Sequence, residues 1–202
     1  TSLKYKDEMV DSICKEIELR RDYLKDKSLT SIYLGGGTPS LLSEENLDQI
    51  FSSLGKHFNW SKNAEITLEA NPDDLSLKKL KVFNNSPINR LSIGIQSFAQ
   101  SDLEYMNRAH NSIEAESCIK NAQDIGLINI SADLIYGSPT TSDKTWNENI
   151  DKMIAFDICF IIIICGLVVI DLFVFKNKKM YKSHLPLIIS VCLLLDLMLR
   201  LV

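Results

Sequence analysis

The chain has 202 residues, room for one or two domains. Its 22 basic and 26 acidic side chains leave it at −4, which excludes the basic footprint of a nucleic-acid binder. The charge is unevenly spread: from Ile158 onward there are five Lys/Arg and two Asp, so the remainder, 1–157, is strongly acidic. Five cysteines (Cys14, Cys118, Cys159, Cys165 and Cys192) include no C-x-x-C pair. The odd count, with no signal peptide, argues against a secreted disulfide framework and for ordinary free thiols.

Taken in chain order, the segments alternate between two periods. Tyr5 to Leu24 reads as an amphipathic helix, with Met9, Ile13, Ile17 and Tyr23 or Leu24 at helical spacing. Ser31 to Leu34 is a strand that ends in glycines. Ser43 is placed to cap the next helix, whose apolar face is Leu47, Ile50, Phe51 and Leu54. Ala64 to Ala70 alternates in and out and reads as a strand. A turn at "NPDD" leads to a short helix, Leu75 to Phe83, and Arg90 to Ile95 is the next strand. Ser112 to Ile125 is a helix closed by Gly126, Ile128 to Gly137 a strand, and "SPTTSDKTWNENIDKMIAF" a turn followed by a helix.

Such alternation is the signature of an α/β fold with a parallel sheet and helical crossovers, either a barrel or an open doubly wound sheet. Both place their working site at the carboxyl ends of the strands. Polar residues do collect there. The first strand ends in Gly35-Gly36-Gly37-Thr38 and the second in Glu69 and Asn71-Pro72. The third ends in Gln96, and the fourth carries Asp133 before Tyr136-Gly137. Each has an ordinary structural role open to it. Asp133, however, sits in a very apolar run and needs a partner or a ligand, with Arg108 as a candidate partner. The glycine turn is neither G-x-G-x-x-G nor G-x-x-x-x-G-K-[ST], so dinucleotide and P-loop readings fail. It does expose backbone N–H groups that suit a carboxylate or phosphate. His57, His110 and His184 lie in different contexts and define no nucleophile–base pair.

The ordered motifs "YLGGGTPSLL", "EITLEANP", "NRLSIGIQSF", "MNRAHN" and "DLIYGSP" resemble the oxygen-independent coproporphyrinogen III oxidase-like group of radical S-adenosylmethionine (SAM) proteins. The "LEANP" form is most similar to the HemW haem-chaperone branch. The resemblance implies a partial parallel (β/α) barrel over 1–157, a 4Fe–4S cluster and SAM as cofactors, and a tetrapyrrole (haem or coproporphyrinogen) as partner. It also implies a cytoplasmic location. By motif position it assigns Gly36, Gly37 and Thr38 to the lining of the SAM site and Glu69 to SAM itself. Gln96, Arg108 and Asp133 are assigned to a SAM contact. The chemistry agrees, since SAM offers a carboxylate to backbone donors and Arg, and an ammonium and hydroxyls to carboxylates.

Two departures accompany the resemblance. The C-x-x-x-C-x-x-C loop that holds the cluster in this family would lie upstream of Thr1, so the chain is expected to be N-terminally truncated, to lack a metal site and to be inactive alone. From Ile158 the text turns into two apolar runs, 158–175 and 185–202, around a loop with four lysines. This tail, 158–202, is expected to be apolar and helical. It is open to three explanations: a frameshift product, a membrane hairpin that would anchor a cluster-free fragment, or a buried barrel segment. The abrupt change in composition favours the first.

Overall fold

In the computed structural model, residues 3–164 are described. The chain divides into two compact units: residues 1–92 with 121–129, and residues 93–120 with those from 130 onward. The strands lie in one sheet in chain order, β1-β2-β3-β4-β5.

The first unit opens with helix α1 (Lys6–Leu19), followed by strand β1 (Ser28–Leu34), helix α2 (Glu44–Gly55), strand β2 (Asn59–Ala70) and helix α3 (Leu77–Asn85). β1 and β2 pair in parallel, with Leu34 opposite Leu68 and a register irregularity between Leu29 and Ser31. That irregularity lets β2 run back to Asn59, upstream of the alternating stretch that marks it in the sequence. α2 begins with a capping box: Ser43 Oγ accepts from the Asn46 N–H, and Asn46 Oδ1 accepts from the Ser43 N–H. α1 is shorter than its periodicity suggests and turns a different face inward. Val10 is its fully buried residue, whereas Met9 is 53% exposed. The buried side is fixed by polar contacts to α2. Asn46 donates to Asp7, Gln49 donates to Asp11, and Ser53 Oγ donates to the Cys14 carbonyl. The core of the unit combines Leu47, Ile50, Leu68, Leu80 and Phe83.

The second unit holds most of strand β3 (Arg90–Gln96) and helix α4 (Gln100–Tyr105). Most of helix α5 (Ser112–Asp124), strand β4 (Ile130–Tyr136), helix α6 (Asp143–Ala155) and strand β5 (Cys159–Ile164) complete it. Ile93, Ile95, Leu103, Ile119, Leu134 and Met153 are buried within it. α6 starts at Ser142, whose Oγ accepts from the Thr145 N–H. α4 has no counterpart in the sequence reading because one short turn shows no period.

β5 pairs in parallel with β4, Ser131 opposite Cys159 and Tyr136 opposite Ile164. These six residues were expected to begin a helical tail; they form a strand instead. The reason is visible in their chemistry. β-branched isoleucines favour extended backbone. An unbroken apolar run is also a pattern that period alone does not assign to strand or to helix. Residues 165–202, on which the membrane-hairpin expectation mainly rests, lie outside the described residues. Among the described residues no helix is long and apolar enough to cross a membrane.

Two outcomes test this packing. Phe83→Ala removes a fully buried ring and should cost about 3–5 kcal/mol in urea denaturation. Burial pushes the Cys118 thiol up to about 12, so at neutral pH it stays protonated and non-nucleophilic. In native protein Cys118 should escape maleimide and react only after unfolding, as peptide mapping by mass spectrometry would show.

Candidate functional site

In the first unit the site forms where β1 and β2 end side by side. The three glycines of the turn after β1 answer different needs. A Cβ on Gly35 would lie 2.5 Å from the Tyr33 ring and 3.0 Å from Glu69 Cδ, so Gly35 makes room for those side chains. Gly36 and Gly37 have φ of 80° and 62°, the left-handed region where a side chain is strained. A Cβ on either would meet nothing within 4 Å, so this backbone is bare on an open side.

Glu69, half-buried at the end of β2, fixes the turn. Its Oε2 accepts from the Gly36 N–H at 2.8 Å, and its Oε1 accepts from the Tyr33 hydroxyl at 2.8 Å. Beyond the turn, Thr38 leads into a short 3-10 segment, Pro39–Leu41. There the fully buried Ser40 donates from Oγ to Asp74 Oδ2 at 2.6 Å, which ties the turn to the loop after β2. Lys79 Nζ donates to the Leu42 carbonyl. Burial, helped by the nearby Lys6 charge, lowers the Lys79 pKa, while Asp74 opposes the shift. A cavity of 440 Å³ lies against the turn, lined by Gly35, Gly36, Gly37 and Thr38 and by Tyr5, Lys6 and Met9 of the α1 region. Met9 and Ile13, read from the sequence as the apolar positions of an amphipathic helix, line this cavity.

In the second unit Gln96 closes β3 with φ of 67° and is 8% exposed; its Oε1 is buried without a hydrogen-bond partner. Arg108, half-buried, donates from its guanidinium to the Gly94 carbonyl at 3.5 Å. His110 is buried with Nε2 3.1 Å from the Ile95 carbonyl, which makes it a packing residue of the β3 end. Asp133, expected near the end of its strand, is half-buried at the middle of β4, opposite Ile161 of β5, because the strand runs on to Tyr136. Tyr136 stacks edge-on against Trp146, with centroids 4.9 Å apart.

The structure thus joins Gly36 to Glu69 directly, carries Gly37 and Thr38 on the same turn, and gathers Gln96 and Arg108 at the end of β3. Sequence reasoning missed Tyr33, although its outward position two residues before Gly35 was a usable signal. It also missed Asp102, whose partners lie 5 to 39 residues away and leave no local trace.

Residues 6–153 match the model of the Radical SAM superfamily. The chain belongs to this superfamily. Its relatives include the heme chaperone HemW of Haemophilus influenzae, 34% identical over 145 residues, which is 72% of this chain and 37% of the relative. HemW of Bacillus subtilis is 38% identical over 130 residues, 64% of this chain and 34% of the relative. The mitochondrial radical S-adenosyl methionine domain-containing protein 1 of Dictyostelium discoideum is 39% identical over 147 residues, 69% of this chain and 32% of the relative. The chain therefore spans 32–37% of the length of these proteins. Among solved structures, coproporphyrinogen III oxidase (HemN) of Escherichia coli superposes with a TM-score of 0.74 at 24% identity, covering 83% of this chain and 39% of that one. The radical-SAM partial barrel expected from the motifs is the fold observed.

Gly35→Ala should cost about 1–3 kcal/mol, because the added methyl group forces the Tyr33 ring aside. The loss should shrink in a Tyr33→Ala background, and a double-mutant cycle by urea denaturation would show it. An equal loss in both backgrounds would contradict the assigned contact.

Proposed function

We propose that this chain is the SAM-binding part of a radical-SAM protein of haem or porphyrin metabolism. The intact protein would bind SAM and a 4Fe–4S cluster and would act on or carry a tetrapyrrole. The observation that carries the reading is the glycine turn: open backbone at Gly36 and Gly37, held by Glu69, beside a cavity of 440 Å³.

The donor set suits SAM. The bare backbone at Gly37 lets the amino-acid end of the ligand approach without steric hindrance, and Thr38 extends the same wall. Glu69 uses one acceptor site on each oxygen for Gly36 and Tyr33. A carboxylate has about four such sites, so Glu69 can still accept from an ammonium or a hydroxyl. The Tyr33 and Gly36 contacts fix its geometry before any ligand arrives, which lowers the ordering cost of binding. The second unit, taken by itself, carries the SAM contact that the resemblance assigns to it: there Gln96 offers a buried amide oxygen to a ligand donor. Arg108 supplies positive charge for an anionic group, and Asp133 an acceptor for hydroxyls. When bound, SAM supplies radical chemistry by reductive cleavage; the protein's share is orientation and exclusion of water.

The cluster is a different matter. Such clusters are held by cysteine thiolates. Among the described residues no group of three or more His, Cys, Asp or Glu side chains could hold a metal ion. The described residues do not fit the cluster, and nothing in this reading is routed through it.

The HemW relatives, 29–38% identical to this chain, support the chaperone branch. On that reading the tetrapyrrole is cargo to be handed on.

Equilibrium dialysis of the chain against SAM should show saturable binding. Gly37→Val places a branched side chain at a positive φ on the open wall and should abolish it. Undiminished affinity in a folded Gly37→Val variant would remove the turn from the site.

A further inference from the structure

Asp102 lies in the first turn of α4 and is fully buried. A buried carboxylate is costly unless its oxygens are hydrogen-bonded. Here hydroxyl groups satisfy it. Ser97 Oγ and Thr141 Oγ1 each donate to Oδ2 at 2.8 Å, and Thr140 Oγ1 donates to Oδ1 at 2.7 Å. Ser97 directly follows β3, and the two threonines lie in the loop after β4. A single carboxylate therefore ties together the carboxyl ends of two strands within one unit. Asn149 of α6 braces the same knot. Its Nδ2 donates to Ser97 Oγ at 3.0 Å, and its Oδ1 accepts from the Phe98 N–H at 2.8 Å.

Beside this knot sits Gln96. A non-glycine residue at φ of 67° holds a strained backbone. Such strain persists only where the surroundings over-determine it, and it gathers at functional sites. Gln96 is also 8% exposed, with Oε1 buried and unpartnered. An orphaned buried acceptor in a native fold needs an explanation. A ligand donor gives one, and two features sustain the strain: the Ser97 N–H donates to the Ile95 carbonyl at 2.8 Å, closing a γ-turn around Gln96, and the knot holds the Ser97 side of that turn.

We propose that Asp102 is a positioning residue: by holding Ser97, Thr140 and Thr141 it locks Gln96 in its left-handed conformation, with the amide oxygen set to accept from an N–H or O–H donor of the bound ligand. This rests on the reading of that ligand as SAM, whose ammonium and ribose hydroxyls are such donors. Asp102 does not touch the ligand; it acts through Gln96. The hydroxyl-tied carboxylate is worth its burial because it joins two loops that no backbone ladder connects.

The test uses the full chain labelled with ¹³C and ¹⁵N. Cα and Cβ shifts of Gln96 report its left-handed backbone, and titration with SAM reports affinity. In Asp102→Ala the left-handed signature should disappear while hydrogen-exchange protection of β4 persists. The SAM dissociation constant should rise about tenfold. In a Gln96→Ala background the same substitution should change affinity less than about twofold, because the two residues act as a unit. Left-handed shifts retained in Asp102→Ala would overturn the proposal. So would an undiminished tenfold effect in the Gln96→Ala background, the mark of a purely structural role. Should Asp102→Ala fail to fold, Thr140→Val combined with Thr141→Val removes two donors, leaves the carboxylate, and yields the same readings. A wild-type chain with no SAM affinity would overturn the identity of the ligand. The Gln96 shifts in the variant would then still decide whether Asp102 sets that backbone.

Discussion

One carboxylate holds the first unit's site together. Glu69 ends β2, yet its two oxygens reach across to the Gly36 N–H and the Tyr33 hydroxyl of the neighbouring strand. That bridge selects one among the many conformations open to three consecutive glycines. With it, the positive φ angles of Gly36 and Gly37 are held, and their bare side faces outward. The parallel register of β1 and β2 brings the two strand ends level, so the crossover through α2 serves the site as much as the core. Ser40 and Asp74 repeat the device one step further on, tying the same turn to the next loop.

The second unit uses a comparable economy of means. Asp102 gathers hydroxyls from two loops, and Gln96 carries the strain that the knot sustains. In both units a carboxylate ties strand ends through short hydrogen bonds, where side chains from different loops must keep a fixed geometry. Charge-assisted bonds of this kind are stronger than neutral ones and suit that task.

Much of the architecture was legible in the sequence because two periods alternate cleanly. The strands ending near Leu34, Ala70, Gln96 and Tyr136 and the capped helix at Ser43 all declare themselves locally; the Ser142 cap was not read from the sequence. Two polar strand ends were legible too, Glu69 and Gln96, whereas Asp133 lies at the middle of β4 rather than near its end. What stayed hidden was non-local. Met9 and Ile13 have helical spacing, but the buried face of α1 is set by Asp7, Asp11 and Cys14 meeting α2, a pairing no window of sequence contains. Cys159–Ile164 reads equally as helix or strand until β4 is seen beside it. Tyr33 and Asp102 owe their importance to partners tens of residues away.

The most direct test of the account is an amide NMR titration of the chain with SAM. If the glycine turn is the binding wall, the N–H signals of Gly36, Gly37 and Thr38 should shift together and saturate with a single dissociation constant. If SAM leaves those three signals unmoved at concentrations that shift others, the turn fixed by Glu69 is a structural element and the ligand site lies elsewhere.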